Sequence, residues 1–322
     1  MRIVSNTTWF DGAAIGGKPV ESIRCERGRL GLLRTLWRGI SADAVVINES
    51  RRDMVAFCLL RMFTGRPRRI IANDQIFQPA QQTTRLRIRT WRRLLREVTH
   101  FTFPFRETTE LARVYGLSPS RISYVPFKVN RLDSVRSYQT HDGGYILSCG
   151  RSRRDYTTFC AAVESLNTKA VILAPPDNET RAHGTDSDLT NLPGNVELVH
   201  DDGSWESWLR WIGGATVVVV PILPPTLAAS GIGTYLVAMA LGKCVVITDS
   251  LASQGMLTDE EAIIVPPRNV EAMRAAIQSA LEDPALRSRV AEAGRAYALS
   301  LGDESRLARD MIDVVSRIVE TT

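Results

Sequence analysis

TVVVVPILPPTLAASGIGTYLVAMALGKCVVITD, residues Thr216–Asp249, decides the fold. Thr216–Pro221 is an almost continuous apolar run, which a parallel strand needs when both its faces are covered. Ser230-Gly231-Ile232-Gly233-Thr234 is a small glycine-containing turn, and it leads into a helix over Tyr235–Leu241. Val245–Thr248 is the next buried strand. A strand, a helix and a strand joined by short connections form a βαβ unit, and such units build a parallel sheet.

The same alternation extends in both directions. Tyr145–Cys149 (YILSC), Ala170–Ala174 (AVILA) and Val196–Val199 read as further strands of the C-terminal half. In the N-terminal half Ala44–Asn48 (AVVIN), Arg69–Ala72 (RIIA), Phe101–Phe103 and Ile122–Val125 read as strands, with helices near 26–40, 52–64, 83–98 and 106–115. Near the C-terminus Asn269 caps a helix whose apolar face is Val270, Met273, Ile277, Ala280 and Leu281. Asp283-Pro284 opens the next helix, and Leu307, Met311, Val314 and Ile318 mark a last one. The expected architecture is α/β: two Rossmann-like domains with parallel sheets facing a cleft. The boundaries read as 1–129 for the first domain, 130–144 for a polar linker ending in a glycine pair, and 145–322 for the second. The last helix is free to pack back on the first domain.

Bulk properties narrow the class. The chain has 322 residues, 44% hydrophobic and 23% charged, which suits a globular protein of two domains. No apolar run reaches the ~18 residues of a membrane-spanning helix, and MRIVSNTTWFDG lacks the pattern of a secretory signal. The five cysteines (Cys25, Cys58, Cys149, Cys160, Cys244) are scattered, as reduced thiols in a cytoplasmic protein are. The four histidines have no metal-ligand spacing, so no zinc site is expected. Charge is uneven. Residues 1–128 hold 23 Lys+Arg against 10 Asp+Glu, a net of +13, and the remainder hold 17 against 25, a net of −8. Two units with different partners fit that asymmetry.

Three places carry chemistry. YILSCGRSRRDY (Tyr145–Tyr156) is a buried strand running into Gly150, a basic loop and a helix that Asp155 opens. Ligands of open α/β sheets bind beyond the carboxyl ends of strands, and helix N-termini favour phosphate there. Arg151, Arg153 and Arg154 would add charge-assisted hydrogen bonds; the plain alternative is a solvated basic loop. The second place is the turn Ser230–Thr234, where Ser230 and Thr234 offer hydroxyls and the glycines allow close approach. The third is Arg85–Val98 (RLRIRTWRRLLREV). On a helix, Arg85, Arg89, Arg92, Arg93 and Arg96 share one side, and Ile88, Trp91, Leu94, Leu95 and Val98 the other. A surface helix packed on the core explains this pattern; an anionic membrane or lipid-phosphate acceptor would use it. Nucleic acid is not expected, because aromatic residues for base stacking are not interleaved with the arginines. At the ends of first-domain strands, Asn48, Glu49, Asn73 and Asp74 are acceptor-side candidates, with loop and helix capping as the alternative.

Over residues 40–300 the chain resembles the retaining glycosyltransferases of family four. The resemblance rests on GRSRRDY, on P-x8-SG-x6-AMALGKCVVITD, on AIIVPPRNVEAM and on DPALRSRVAEAGRAYA, with RISYVPFKVN similar to the end of the family's first domain. It implies a GT-B fold, a nucleotide-diphosphate sugar as donor, a glycan or lipid-linked acceptor, and retained anomeric configuration. The donor-binding set it implies is Gly150, Arg151, Arg154, Ser230, Gly231 and Thr234. Arg151 and Arg154 would stabilise the leaving diphosphate without a metal or other cofactor. Asp186-Ser187-Asp188, the one Asp-x-Asp of interest, falls in a polar stretch rather than at a strand end. Gly16 and Gly17 correspond weakly to the family's N-terminal glycine-rich loop. In one respect the sequence departs from the pattern: the family's Glu-x7-Glu is replaced by Ala229 and Val237. That departure keeps open a non-catalytic nucleotide-sugar-binding or scaffold protein. A further alternative is another double-Rossmann enzyme, such as an epimerase, or a phosphorylase with pyridoxal phosphate on Lys18, Lys128, Lys169 or Lys243. On the first reading the protein acts in polysaccharide or lipid-linked glycan synthesis, peripheral to the inner membrane face.

Overall fold

The computed structural model describes residues 1–26, 28–174, 184–185, 189–200 and 202–320. The chain divides into two compact units, Met1–Pro126 with Ser305–Thr322, and Phe127–Glu304. Each is an α/β sandwich around a six-stranded, fully parallel sheet.

In the first unit the strands are β1 (Arg2–Ser5), β4 (Glu21–Arg24), β5 (Ala44–Asn48), β6 (Ile70–Asn73), β7 (His100–Phe103) and β8 (Ile122–Tyr124), in the order β4-β1-β5-β6-β7-β8. The sequence reading missed β1 and β4. Their apolar content is too short to stand out, Ile3-Val4 in one and Ile23 in the other, yet β1 is an interior strand, paired with both β4 and β5. A small antiparallel hairpin, β2 (Ala14–Ile15) and β3 (Lys18–Pro19), interrupts the early chain. Gly16 and Gly17 form its turn with φ of 57° and 72°, as a two-residue hairpin requires. Helices α1 (Gly28–Ile40), α2 (Arg51–Thr64), α3 (Arg85–Leu95) and α4 (Thr109–Tyr115) connect the strands. Ser50 caps α2 through the Asp53 N–H, and Gly65 ends it in the left-handed region.

In the second unit the order is β11-β10-β9-β12-β13-β14, from β9 (Tyr145–Cys149), β10 (Lys169–Ala174), β11 (Val196–His200), β12 (Val217–Val220), β13 (Cys244–Thr248) and β14 (Ile263–Val265). Its helices are α5 (Leu132–Ser137), α6 (Tyr156–Val163), α7 (Trp205–Gly214), α8 (Ile232–Ala240), α9 (Val270–Glu282) and α10 (Pro284–Ser300). Asp155, Ser204, Asn269 and Asp283 cap α6, α7, α9 and α10 with their side chains. Residues 130–144, read as a linker, include α5, whose Leu132 and Val135 are buried, so this stretch belongs to the second unit. The last helix, α11 (Glu304–Glu320), lies almost wholly in the first unit. Its Leu307, Met311, Val314 and Val315 join Ile3, Phe10, Val46 and Ile71 in one apolar cluster.

Packing of α1 on α2 depends on a missing side chain. A Cβ on Gly39 would lie 3.1 Å from Cζ of Phe57 and closer still to Cε1, and Phe57 is fully buried. Alanine gains about 1 kcal/mol of helix propensity over glycine, whereas overpacking a core costs roughly 1–3 kcal/mol. Phe57 has no open space to move into, so the second effect wins. Gly39→Ala lowers stability in urea unfolding despite its better propensity; a gain would show that the two helices separate easily.

Candidate functional site

In an open α/β sheet the ligand crevice lies where strand order reverses. In the second unit this is between β9 and β12, because the chain runs outward from β9 to β11 and returns to β12 on its other side. The two sequence segments proposed for the donor, Gly150–Asp155 and Ser230–Thr234, both follow these strands.

Arg154 joins them. Its guanidinium is 1% exposed. Nε donates to the Cys149 carbonyl (2.8 Å), Nη1 to the Ser152 carbonyl (2.7 Å) and Nη2 to Oγ1 of Thr234 (3.0 Å). Gly150 adopts φ of 109°, and a Cβ there would stand 2.8 Å from Cζ of Arg154 and nearer to Nη2. Glycine is therefore required for the guanidinium to enter. Tyr156 Oη holds the Gly150 carbonyl at 2.9 Å. The two loops run antiparallel, with Asp155 N–H on Pro221 and Leu223 N–H on Arg153, while the Arg153 side chain donates to the carbonyls of Leu223 and Pro225. Among the described residues no carboxylate forms an ion pair with Arg154. Burial pulls its guanidinium below the ordinary value, as expected for a cation removed from water.

The two helix N-termini differ. The Asp155 carboxylate already sits on α6, accepting from the N–H and Oγ1 of Thr158. Of the two helices, only α8 begins without a side-chain cap. Its N-cap is Gly231, with φ of 94° and no side-chain cap, flanked by buried Ser230 and Thr234. The two matched arginines part as well: Arg154 is inside, whereas Arg151 is exposed. Val237 is fully buried in the core and Ala229 nearly so. Two contributors escaped the sequence reading. Thr185 accepts from the Arg154 N–H and donates to the Arg151 carbonyl. Asn130 stands beside the first turn of α8, its Nδ2 being 3.3 Å from where a Gly233 Cβ would lie; it also accepts from Lys128, which pairs with Glu304. The motif RISYVPFKVN was the available signal for Asn130. Asp186-Ser187-Asp188 lies outside the described residues. Among those described, no group of three His, Cys, Asp or Glu side chains could hold a metal.

In the first unit Asn48 and Asn73 form a ladder across strand ends. Asn6 exchanges two hydrogen bonds with the Asn48 backbone, Asn73 Nδ2 donates to Asn48 Oδ1 (2.6 Å), and Thr102 donates to Asn73 Oδ1 (2.6 Å). These amides hold the sheet edge together. Glu49 and Asp74 follow them in left-handed backbone, with φ of 50° and 45°. Asp74 keeps a little surface, but protein encloses its carboxyl. Burial first, and the Glu49 charge second, push it up to about 7. On α3 Arg85, Arg89, Arg92, Arg93 and Arg96 are all exposed, and Arg92 also donates to the carbonyls of Val114 and Arg113 at the end of α4.

The raised Asp74 carboxyl has a stability consequence. Its folded pKa, about 7, lies above the ordinary carboxyl value of 3.8. The neutral form therefore favours the fold, and this contribution is lost as pH rises through 7. Asp74→Asn removes the penalty, so urea unfolding should show the variant gaining on wild type by on the order of 2 kcal/mol between pH 5 and pH 8. An equal difference at the two pH values would mean that the carboxyl ionises normally.

Residues 205–297 match the family described as Glycosyl transferases group 1. Among curated proteins none matches the sequence. Solved structures share the fold of the whole chain. A glycosyltransferase from Rickettsia africae ESF-5 is similar over 100% of this chain and 98% of its own, with a TM-score of 0.71 and 12% identity. A sucrose-phosphate synthase from Thermosynechococcus elongatus covers 100% of both chains, with a TM-score of 0.68 and 17% identity. Anabaena HepE in complex with UDP-glucose is similar over 98% of this chain and 100% of its own, with a TM-score of 0.70 and 12% identity. The chain therefore has the α/β fold of GT-B glycosyltransferases, and its second unit carries the segment that resembles group 1.

Proposed function

We propose that the protein is a glycosyltransferase that moves a sugar from a nucleoside-diphosphate sugar to an acceptor hydroxyl, with the donor diphosphate held at the N-terminus of α8. The observation that carries this reading is the buried Arg154 guanidinium bound to the first turn of a helix without a side-chain cap. Both features are positive, and an anion between them relieves their mutual repulsion. As the sugar–phosphate bond breaks, negative charge grows on the leaving diphosphate, and fixed donors aimed there lower the barrier. Arg154 and the α8 N–H groups meet that charge in this proposal without a metal, and Arg151 reaches the diphosphate from the rim. Retention of configuration and a glycan or lipid-linked acceptor follow from the family resemblance. Asn48, Glu49, Asn73 and Asp74 mark the acceptor side. Calorimetric titration of nucleoside diphosphates tests the donor site. Arg154→Lys keeps the charge but loses the fork, and should weaken the diphosphate that wild type binds by roughly 10-fold or more. Ser230→Ala, which removes a neutral hydroxyl, should cost less. Equal affinity in wild type and a folded Arg154→Lys protein would overturn the site; binding without donor turnover would favour a non-catalytic protein lacking the glutamates at 229 and 237.

We also propose that the first unit docks on an anionic membrane face. Among the described residues no helix is long and apolar enough to cross a membrane. The exposed large apolar side chains all lie between residues 30 and 86, including Leu30, Leu33 and Trp37 on α1, Phe63 on α2 and Leu86 on α3. With Arg85, Arg89, Arg93 and Arg96 they combine apolar anchors and charges, each basic residue adding about 1 kcal/mol near an anionic surface. The protein should co-sediment with vesicles containing phosphatidylserine and much less with neutral ones, and salt should weaken it. Equal binding to both vesicle types would leave the arginines without this role.

A further inference from the structure

A second basic site lies in the first unit, away from the exposed face of α3. The loop 74–84 follows β6 and folds over α3. Phe77, Trp91 and Tyr115 pack there with ring centroids 6.3 Å (Phe77–Trp91) and 4.7 Å (Phe77–Tyr115) apart, and Tyr115 Oη fixes the loop by donating to the Gln78 carbonyl at 2.7 Å. Arg51, the first residue of α2, and Arg87, in the first turn of α3, line the same small cavity with these rings and Thr83. Arg51 is fixed: Nη2 donates to the Ile76 carbonyl (2.7 Å) and its Cζ stands 5.7 Å from the Trp91 ring centroid. The cavity, about 10 Å³, has room for one water-sized group.

The electrostatics are lopsided. Among the described residues neither Arg51 nor Arg87 has a carboxylate in ion-pair range, although many arginines of this unit do, such as Arg34 and Arg38 with Glu26. Burial raises the Tyr115 phenol above its ordinary value, and the charges of Arg51 and Arg87 both oppose that shift, so both act on one spot. Two guanidinium groups converging on an aromatic floor offer planar N–H forks to an oxyanion, with stacking surface beside it. The small volume suits one oxygen of a terminal anionic group rather than a sugar ring. The location also has a consequence: Arg51 follows β5 and the loop follows β6, the two strands whose ends carry Asn48, Glu49, Asn73 and Asp74.

We propose that Arg51 and Arg87 form an anion subsite that takes a phosphate or carboxylate group of an acidic acceptor. The assignment of this anion to an acceptor rests on the glycosyltransferase reading; binding of the anion does not. Phenyl phosphate is a suitable probe, because it carries an oxyanion and an apolar ring, with benzoate and benzyl alcohol as companions. In protein labelled with 5-fluorotryptophan, the ¹⁹F resonance of Trp91, identified by its loss in Trp91→Phe, reports on this cavity alone. Phenyl phosphate should shift the Trp91 signal while leaving those of Trp205, Trp208 and Trp211 in the second unit unmoved. Benzyl alcohol should have no effect at the same concentration, and benzoate measures how far a carboxylate replaces phosphate. Arg51→Gln with Arg87→Gln should weaken phenyl phosphate by roughly tenfold or more, Arg87→Gln alone should weaken it in part, and Arg113→Gln, elsewhere on the unit, should not change it. Because the Arg87 side chain makes no hydrogen bond among the described residues, Arg87→Gln tests the subsite even if the double variant misfolds. No Trp91 shift in wild type, an equal shift with benzyl alcohol, or equal affinity in Arg87→Gln and wild type would overturn the subsite. A shift without any nucleoside-diphosphate binding would leave the subsite standing and remove the glycosyltransferase reading.

Discussion

Burying one guanidinium at the switch point of a parallel sheet constrains most of what surrounds it. Arg154 is removed from water without a carboxylate partner among the described residues, and a charge in that position is costly unless its N–H groups are all engaged. Three of its five donors go to the Cys149 and Ser152 carbonyls and to Thr234. Each contact fixes a separate piece: the end of β9, the turn of its own loop, and the first turn of α8. Gly150 must lack a side chain for the group to enter, and Gly231 must lack one as well, since its Cβ would press on Val220 and Ile222. The loop that a reader of the sequence sees as basic and solvated is thus wrapped around its own charge.

That constraint separates the two ends of the second unit's helices by function. Capping α6 with Asp155 neutralises its N-terminus, whereas α8 begins at a glycine and keeps its partial positive charge. One cation and one helix end therefore add at a single point instead of being spread over two. The first unit follows the same topological rule with different electrostatics. Its strand ends carry an amide ladder through Asn6, Asn48, Asn73 and Thr102, then the Asp74 carboxyl, which burial and the Glu49 charge push up to about 7. Hydroxyl groups are well matched to such a surface, because amides and a partly protonated carboxyl can both donate and accept.

Much of this was legible in the sequence for a plain reason. Runs such as AVVIN, YILSC and VVVV are apolar on both faces, and only a covered parallel strand needs that. Asn269 and Asp283 announce their helices. What was not legible depended on direction rather than type. Arg151 and Arg154 are the same residue three positions apart, yet the turn at Arg153, with φ of 51°, sends one out and one in. On α3 the wheel groups Arg92 with four exposed arginines, but the proximity of α4 gives it two carbonyls to hold. β1 was missed because two apolar residues in a row carry no period, although the strand is interior to the sheet.

The replaced glutamates have a structural side as well. Nearly every residue of α8 is buried, and Val237 lies on a face with no exposure at all. A carboxylate there would need a partner or a ligand to offset its desolvation. Valine removes that requirement, so α8 packs as a core helix whether or not the site is filled, and the positive charge of its N-terminus does not depend on a side chain. In the proposed donor site, diphosphate recognition by Arg154 and the α8 backbone would therefore not depend on the side chains at 229 and 237. Contacts to the sugar of the nucleotide must then come from groups other than positions 229 and 237, and Asn130 is already beside the first turn of that helix with Lys128 attached to it. Lys128 is also paired with Glu304, so the segment next to the turn carries both signs of charge, while Arg154 on the other side carries only one. In the proposed donor site an anion at this turn would be drawn toward Arg154, which leaves Asn130, able to donate and accept, for the hydroxyl-bearing part of the nucleotide.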